Sequence, residues 1–460
     1  MSEPQVVVGG TVAALTAADA LADRGRPTRL FLPRRGVGGG FVPLVRDGRT
    51  LERGMRVLEL HYEGTGTPPP LARYRPDEEG HRPFVALVDA WVRELVGDDA
   101  VVPVAAPASF LGGRLGPEVL LSSDLSRAAE LVPADVAGRI AAEAAQAAAA
   151  SGDAGLLAPD RRPRLWETTF DDVSAQQHGL TFHDVLLAPF VAKVRPAGGS
   201  DVLAALRRKL WVPLFWPRTV AEAFGGAPVG FVPQRPLTVV RPGGTGPVVR
   251  ALLDRLRARG VEVVAYDRLA GVAADGRRVR IEFSDGRVET ATRPVLGVPA
   301  GELFAAAGTS FAPAKVGSVL AWVGVREADL RALPGFVDVL DADVAAYRVT
   351  PGAPYGAGCR VVCVELAHDV PQEAAARTAH GVLQRVGLLR AGAAADDLGV
   401  FAGPTFTDPT ADNLRLHAAA LDRWRDLAVP ATVVGGAQAP FADSFNEQVL
   451  QGLQAAASTA

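Results

Sequence analysis

Apolar residues fall along this chain in blocks whose spacing predicts the elements. The run Gln5-Val6-Val7-Val8 breaks at Gly9-Gly10, and an Ala- and Leu-rich stretch then continues to Asp23. This predicts a strand over 5–9, a glycine turn, a helix over 12–23 stopping at Gly25, and a second strand over 28–32. Strand, turn, helix and strand in so short a span form the βαβ unit of a parallel sheet. Its strands are apolar throughout because both faces are covered.

The glycine loop Gly36-Val37-Gly38-Gly39-Gly40 follows, then short strands over 41–60 ending in Met55-Arg56-Val57-Leu58-Glu59-Leu60. Pro68-Pro69-Pro70 reads as a stiff surface connection. Helices are expected over 82–95 and 134–150, paired strands over 101–122 around Gly112-Gly113, and broken helix over 180–225. At Gly243-Gly244-Thr245-Gly246 the glycine turn recurs, feeding a helix over 247–259 and the strand 261–265. Four short strands follow over 268–298, with a hairpin at Asp285-Gly286. Strands over 318–325 and 360–366, helices over 372–388 and 411–427, a strand over 431–435 and a closing helix over 444–457 complete the chain.

At 460 residues the chain exceeds what one core serves, so two domains are expected. Its 48% hydrophobic and 22% charged content excludes a largely disordered protein. A net charge of −3 gives nucleic acid or an anionic membrane no electrostatic purchase. No apolar run approaches the roughly 18 residues of a membrane span. Met1-Ser2-Glu3-Pro4 has no basic leader. Cys359 and Cys363, on one face of a strand, lie about 13 Å apart, too far for a disulfide. Together these place the expected location in the cytoplasm. Seven histidines without a ligand spacing predict no metal site, and there is no G-x-S-x-G elbow.

The order of pieces resembles the superfamily of flavin-containing amine oxidases, protoporphyrinogen oxidases and UDP-galactopyranose mutases. The resemblance covers nearly the whole chain. It rests on the first βαβ unit, the Gly36–Gly40 loop, and the Gly243–Ala265 unit. Arg293-Pro294-Val295-Leu296-Gly297-Val298-Pro299 and the closing Val433-Val434-Gly435-Gly436 … Gln451-Gly452-Leu453 add to it. It implies an α/β fold, a Rossmann-like FAD/NAD(P)-binding domain interleaved with an α+β substrate domain. The expected boundaries are 1–60, 235–300 and 428–460 for the dinucleotide domain, and 61–234 and 301–427 for the substrate domain with its helical cap.

The resemblance also implies FAD, with a pyrophosphate at the first helix's N-terminus. Gly9, Gly10, Thr11 and Ala14 would face the pyrophosphate, with Gly38, Gly39 and Gly40 in the loop beneath. Val263, Gly435, Gly436 and Asn446 would complete the cofactor site. Three departures weaken it: Thr11 replaces the second motif glycine, Leu32-Pro33 replaces the acidic ribose acceptor, and Gly436 replaces an aspartate. Losing two such contacts costs on the order of 3–5 kcal/mol, or two to three decades of affinity.

Two functions follow. The first is a flavin-type oxidoreductase acting on a small or medium organic substrate, as in natural-product biosynthesis. The second is a cofactor-independent isomerase, cyclase or lyase on a degenerate flavoprotein fold that has lost FAD. His81, His183, Asp201 and Lys209 are the acid–base candidates. Arg207, Arg208, Trp211 and Trp216 form a basic and aromatic set suited to an anionic or sugar-like substrate. The plainer alternative makes the arginines solvated helix residues and the Trp pair core.

Overall fold

The computed structural model describes residues 3–61, 67–75, 82–230 and 237–458. Strands Gln5–Val8, Thr28–Pro33, Glu262–Tyr266, Val295–Leu296 and Thr432–Val433 form one parallel sheet. Gln5–Val8 lies at its centre, flanked by Thr28–Pro33 and Val295–Leu296. Its side chains divide by period two. Val7, Leu30 and Val295 pack under the first helix (Val12–Asp23), the helix Gly246–Ala258 and the closing helix (Phe445–Ser458). Val6, Val8, Phe31 and Leu296 point the other way, onto Val279 and Ile281 of a three-stranded antiparallel sheet. Buried Asp19 ties the first two helices together, accepting from Arg255 Nε at 3.0 Å and Arg259 Nη1 at 2.8 Å.

A second, seven-stranded sheet is built mostly from the chain between these pieces. Its spatial order is Asp396–Thr407, Lys315–Arg326, Cys359–Leu366, Ala346–Tyr355, Val337–Val339, Ala108–Leu111 and Arg114–Pro117. One face packs Val319, Val323, Val362, Val364 and Val349 against the helix Ala375–Arg385. The other turns toward the cap, formed by Ala134–Ser151, Phe170–His178, a π-turn at His183–Leu187, and Pro217–Phe224.

Two elements depart from the sequence expectation. The paired strands within 101–122 are only the hairpin 108–117. Val101–Pro103 instead pairs with the distant Thr238–Val240. The strand Asp396–Thr407 has no periodic signal because Gly399, Gly403 and Pro404 interrupt it. It is an edge strand, where a proline costs no ladder bond. Cys363 is buried and Cys359 half-buried, both free thiols as expected. Among the described residues no helix is long and apolar enough to cross a membrane, and no cluster of three metal-ligating side chains occurs.

Candidate functional site

The turn after the first strand is fixed by contact. Gly9 has φ +130°, and a Cβ there would lie 2.1 Å from Gly297 O, so only glycine fits. Gly10 faces the ring of Pro33, whose Cγ would be 2.8 Å from a Cβ at that position. The Gly10 carbonyl accepts from Gly38 N–H at 2.7 Å, clamping the glycine loop over the turn.

A helix N-terminus offers N–H groups that need partners. Here the chain's own side chains supply two of them. Thr11 Oγ1 accepts from Ala14 N–H at 3.2 Å and donates to Gly297 O at 2.8 Å. Gln448 Oε1, from the closing helix, accepts from Ala13 N–H at 3.4 Å. Gln451 Oε1 accepts from Gly435 N–H, and its amide donates to Ala442 O at 2.8 Å. The closing helix is pressed onto the first one, because a Cβ at Gly452 would lie 2.5 Å from Ala13 O.

The second focus is a charged row inside the seven-stranded sheet. Strand register aligns Ser109, Asp338, Arg348 and Glu365 side by side across four strands. A bulge between Ala346 and Arg348 turns Tyr347 onto the same face, where its hydroxyl donates to Glu365 Oε1 at 3.3 Å. Arg348 is 0% exposed; its Nε donates to Asp338 Oδ1 at 2.7 Å, and its guanidinium lies 4.7 Å from the Trp211 ring. Glu52 and Arg56 close over this row from the glycine-turn half, their charged groups 4.0 Å apart. Gly54, with φ +77°, makes the approach possible: a Cβ there would meet Glu365 Oε1 at 2.6 Å.

Burial pushes the Glu52 carboxyl up to about 7, against the pull of Arg56. Burial also raises Glu365, against Arg348 and Arg56. Both Glu52 oxygens, Glu365 Oε2, Arg56 Nε and Arg348 Nη1 and Nη2 are buried without a hydrogen-bond partner among the described residues, although Arg348 Nη1 lies 3.8 Å from Glu365 Oε2. Unpaired buried polar atoms are rare in folded proteins.

The expected site residues scatter around these two foci. Gly9, Gly10, Thr11, Ala14, Gly38, Gly435 and Gly436 surround the first turn, with Gly436 O accepting from His417 at 2.9 Å. Gly39 and Gly40 are exposed, and Val263 is 44% exposed on the sheet's edge strand. Asn446 donates to Glu59 O at 2.8 Å, and Arg208 lies 3.5 Å from Glu59. Lys209 is engaged at 2.6 Å by Asp443, which binds the cap to the closing segment. Arg207 is pushed down to about 9 by burial and by Arg208, Arg82 and Arg162.

Trp211 reaches the charged row, whereas Trp216 is 49% exposed on the cap. Asp201 pairs with Arg195. His183 sits 3.7 Å from Asp171 in the cap, so its partner is not the adjacent Asp184. His81 lies outside the described residues. The row Asp338–Arg348–Glu365 with Glu52 and Arg56 was missed by the sequence reading. Its signal was a lone charge inside an apolar strand, three times over: Val337-Asp338-Val339, Tyr347-Arg348-Val349 and Val364-Glu365-Leu366.

The fold is shared along nearly its whole length with solved flavin amine-oxidase-like structures. Reduced UDP-galactopyranose mutase superposes with a TM-score of 0.73 at 15% identity, covering 100% of this chain and 94% of that one. A protein assigned as protoporphyrinogen oxidase from Exiguobacterium sp. 255-15 gives 0.59 at 16%, covering 100% and 99%. A putrescine oxidase double mutant gives 0.58 at 14%, covering 99% and 98%. No family model matches the sequence. No curated protein matches it either.

A dinucleotide held at the first helix would need the helix N–H groups and a ribose acceptor at the end of the second strand. In this chain Thr11 and Gln448 engage two of those N–H groups, and Pro33 packs on Gly10 where the acceptor would stand. The residues present do not fit FAD bound in that manner.

Proposed function

We propose that this chain is a cofactor-independent enzyme of the isomerase, cyclase or lyase type, acting on a small anionic molecule within a degenerate flavoprotein fold. The observation that carries the reading is the self-capped helix: the N–H groups of Ala13 and Ala14 end on Gln448 and Thr11. Acid–base work then falls to protein side chains, and carboxyls raised above their ordinary range by burial suit it.

The test is a visible spectrum and an FAD titration of the purified protein. A colourless protein that binds FAD only weakly is expected. The pair Thr11→Gly with Pro33→Glu should then tighten FAD binding by roughly tenfold or more, since it restores backbone approach and the ribose acceptor. A yellow wild-type protein carrying stoichiometric flavin overturns the reading.

A second reading, a flavin-type oxidoreductase in specialised biosynthesis, is favoured by the full-length likeness of fold. The glycines at positions 9, 38 and 435, all with positive φ, favour it too. The same spectrum separates the two.

A further inference from the structure

We propose that Glu52 and Glu365, held by Arg56 and Arg348, form the catalytic site for proton transfer on a small enolisable oxo acid. The inference rests on the cofactor-independent reading above and specifies its substrate class and its residues.

Three observations carry it. First, the charges sit where a folded sheet has least use for them. Arg348 is 0%, Glu365 4% and Glu52 6% exposed, and an unpaired buried charge is strongly unfavourable. Second, the partners present are incomplete. Arg348 spends Nε on Asp338, while among the described residues Nη1 and Nη2 make no hydrogen bond, Nη1 lying 3.8 Å from Glu365 Oε2. The two terminal nitrogens of one planar guanidinium match the two oxygens of a carboxylate. Trp211 backs the guanidinium plane and fixes its orientation. Third, the carboxyls are positioned differently. Tyr347 holds Glu365 Oε1 while Oε2 lies 3.8 Å from Arg348 Nη1, whereas neither Glu52 oxygen accepts a hydrogen bond among the described residues and Arg56 is 4.0 Å from Glu52 Oε2. The Arg56 side chain retains 19% exposure and marks the side from which an anion enters.

The step balances without an oxidant. The substrate carboxylate rests on Arg348. The Glu52 carboxylate takes the proton from the carbon beside the keto group, and the C–H electron pair moves into a C=C bond as the carbonyl oxygen becomes an enolate. The Arg56 guanidinium stabilises that oxygen. Glu365, as the neutral acid, returns a proton to a carbon of the enolate, and the electron pair flows back to regenerate the carbonyl. One carboxyl gains the proton the other loses. The product is an epimer or a double-bond isomer.

The experiment follows exchange of C–H for C–D by proton NMR in D2O. The full chain is incubated in turn with pyruvate, 2-oxobutyrate, 2-oxoglutarate and acetoacetate, after its visible spectrum is recorded. Exchange above the buffer rate with at least one acid is expected. Glu52→Gln and Glu365→Gln should each slow it by about 10²–10⁴-fold, the share general acid–base groups supply. Arg348→Lys should raise KM more than it lowers kcat. Oxalate, a flat enolate mimic, should raise the melting temperature of wild type and of Glu52→Gln but not of Arg348→Lys. If a Gln variant fails to fold, Glu52→Asp supplies the rate comparison. Colourless protein with no exchange on any of the four acids, or with wild-type exchange in both folded Gln variants, overturns this inference alone. Yellow protein overturns the cofactor-free reading instead.

Discussion

At the scale of single residues, the chain is governed by where polar atoms find partners. Glu52 shows this through its proton. Burial raises its carboxyl from the ordinary 4.5 to about 7, so the fold favours the neutral acid. The stability this contributes is fully present below about pH 4.5 and is lost as pH rises through 7. Glu52→Gln should therefore flatten the fall in urea midpoint between about pH 5 and pH 8. At the upper end it should be more stable than wild type by on the order of 2 kcal/mol. Parallel pH profiles for the two proteins would count against the burial argument. The sequence exposed the charge of Glu52 but not its confinement, which depends on Trp322 Nε1 donating to the Glu52 carbonyl at 2.6 Å across 270 positions.

Among elements, the cap helix Phe170–His178 shows a different dependence. His178 Nε2 accepts from Phe215 N–H at 2.8 Å, so this nitrogen must be unprotonated. Burial, with His183 nearby, pushes the ring down to about 3. A depressed histidine contributes stability above its unfolded value of about 6.5, and that contribution is lost as pH falls toward 3. The ring signals of His178 should show no titration between about pH 8 and pH 5 by NMR. A midpoint near 6.5 would mean the cap is open there. The helix itself was not in the sequence reading, whose broken helix begins only at 180. Nor was its histidine contact, since Phe215 arrives from a separate segment.

For the whole molecule, the long-range ties decide. Asp19, 2% exposed, balances Arg255 and Arg259 from a helix more than 230 positions away. Asp19→Ala removes the buried carboxylate the two guanidinium groups share, leaving Arg255 with Glu94 and Arg259 with Asp23, and should cost about 2–3 kcal/mol, read as a lower urea midpoint at unchanged slope. A loss below about 1 kcal/mol would show that the helices are held by packing alone. The same scale explains how the first turn and the cap come together. The closing segment contributes Gln448 and Gln451 to the first turn, and Asp443 and Glu447 to Lys209 of the cap.

The sequence alone determined the parallel βαβ start, the recurrence of the glycine turn at 243–246, the closing strand and helix, and the superfamily resemblance. These are local patterns of period two or 3.6 with glycine punctuation, which a linear reading captures. It also showed the departures at Thr11, Pro33 and Gly436. Tertiary structure decided what replaces the lost contacts and where the buried charges meet. Gln448 caps a helix 435 positions earlier, and Asp338, Arg348 and Glu365 align only because register and one bulge place them on a single face. A side chain's partner across a fold is set by packing of distant segments, and no local periodicity records it.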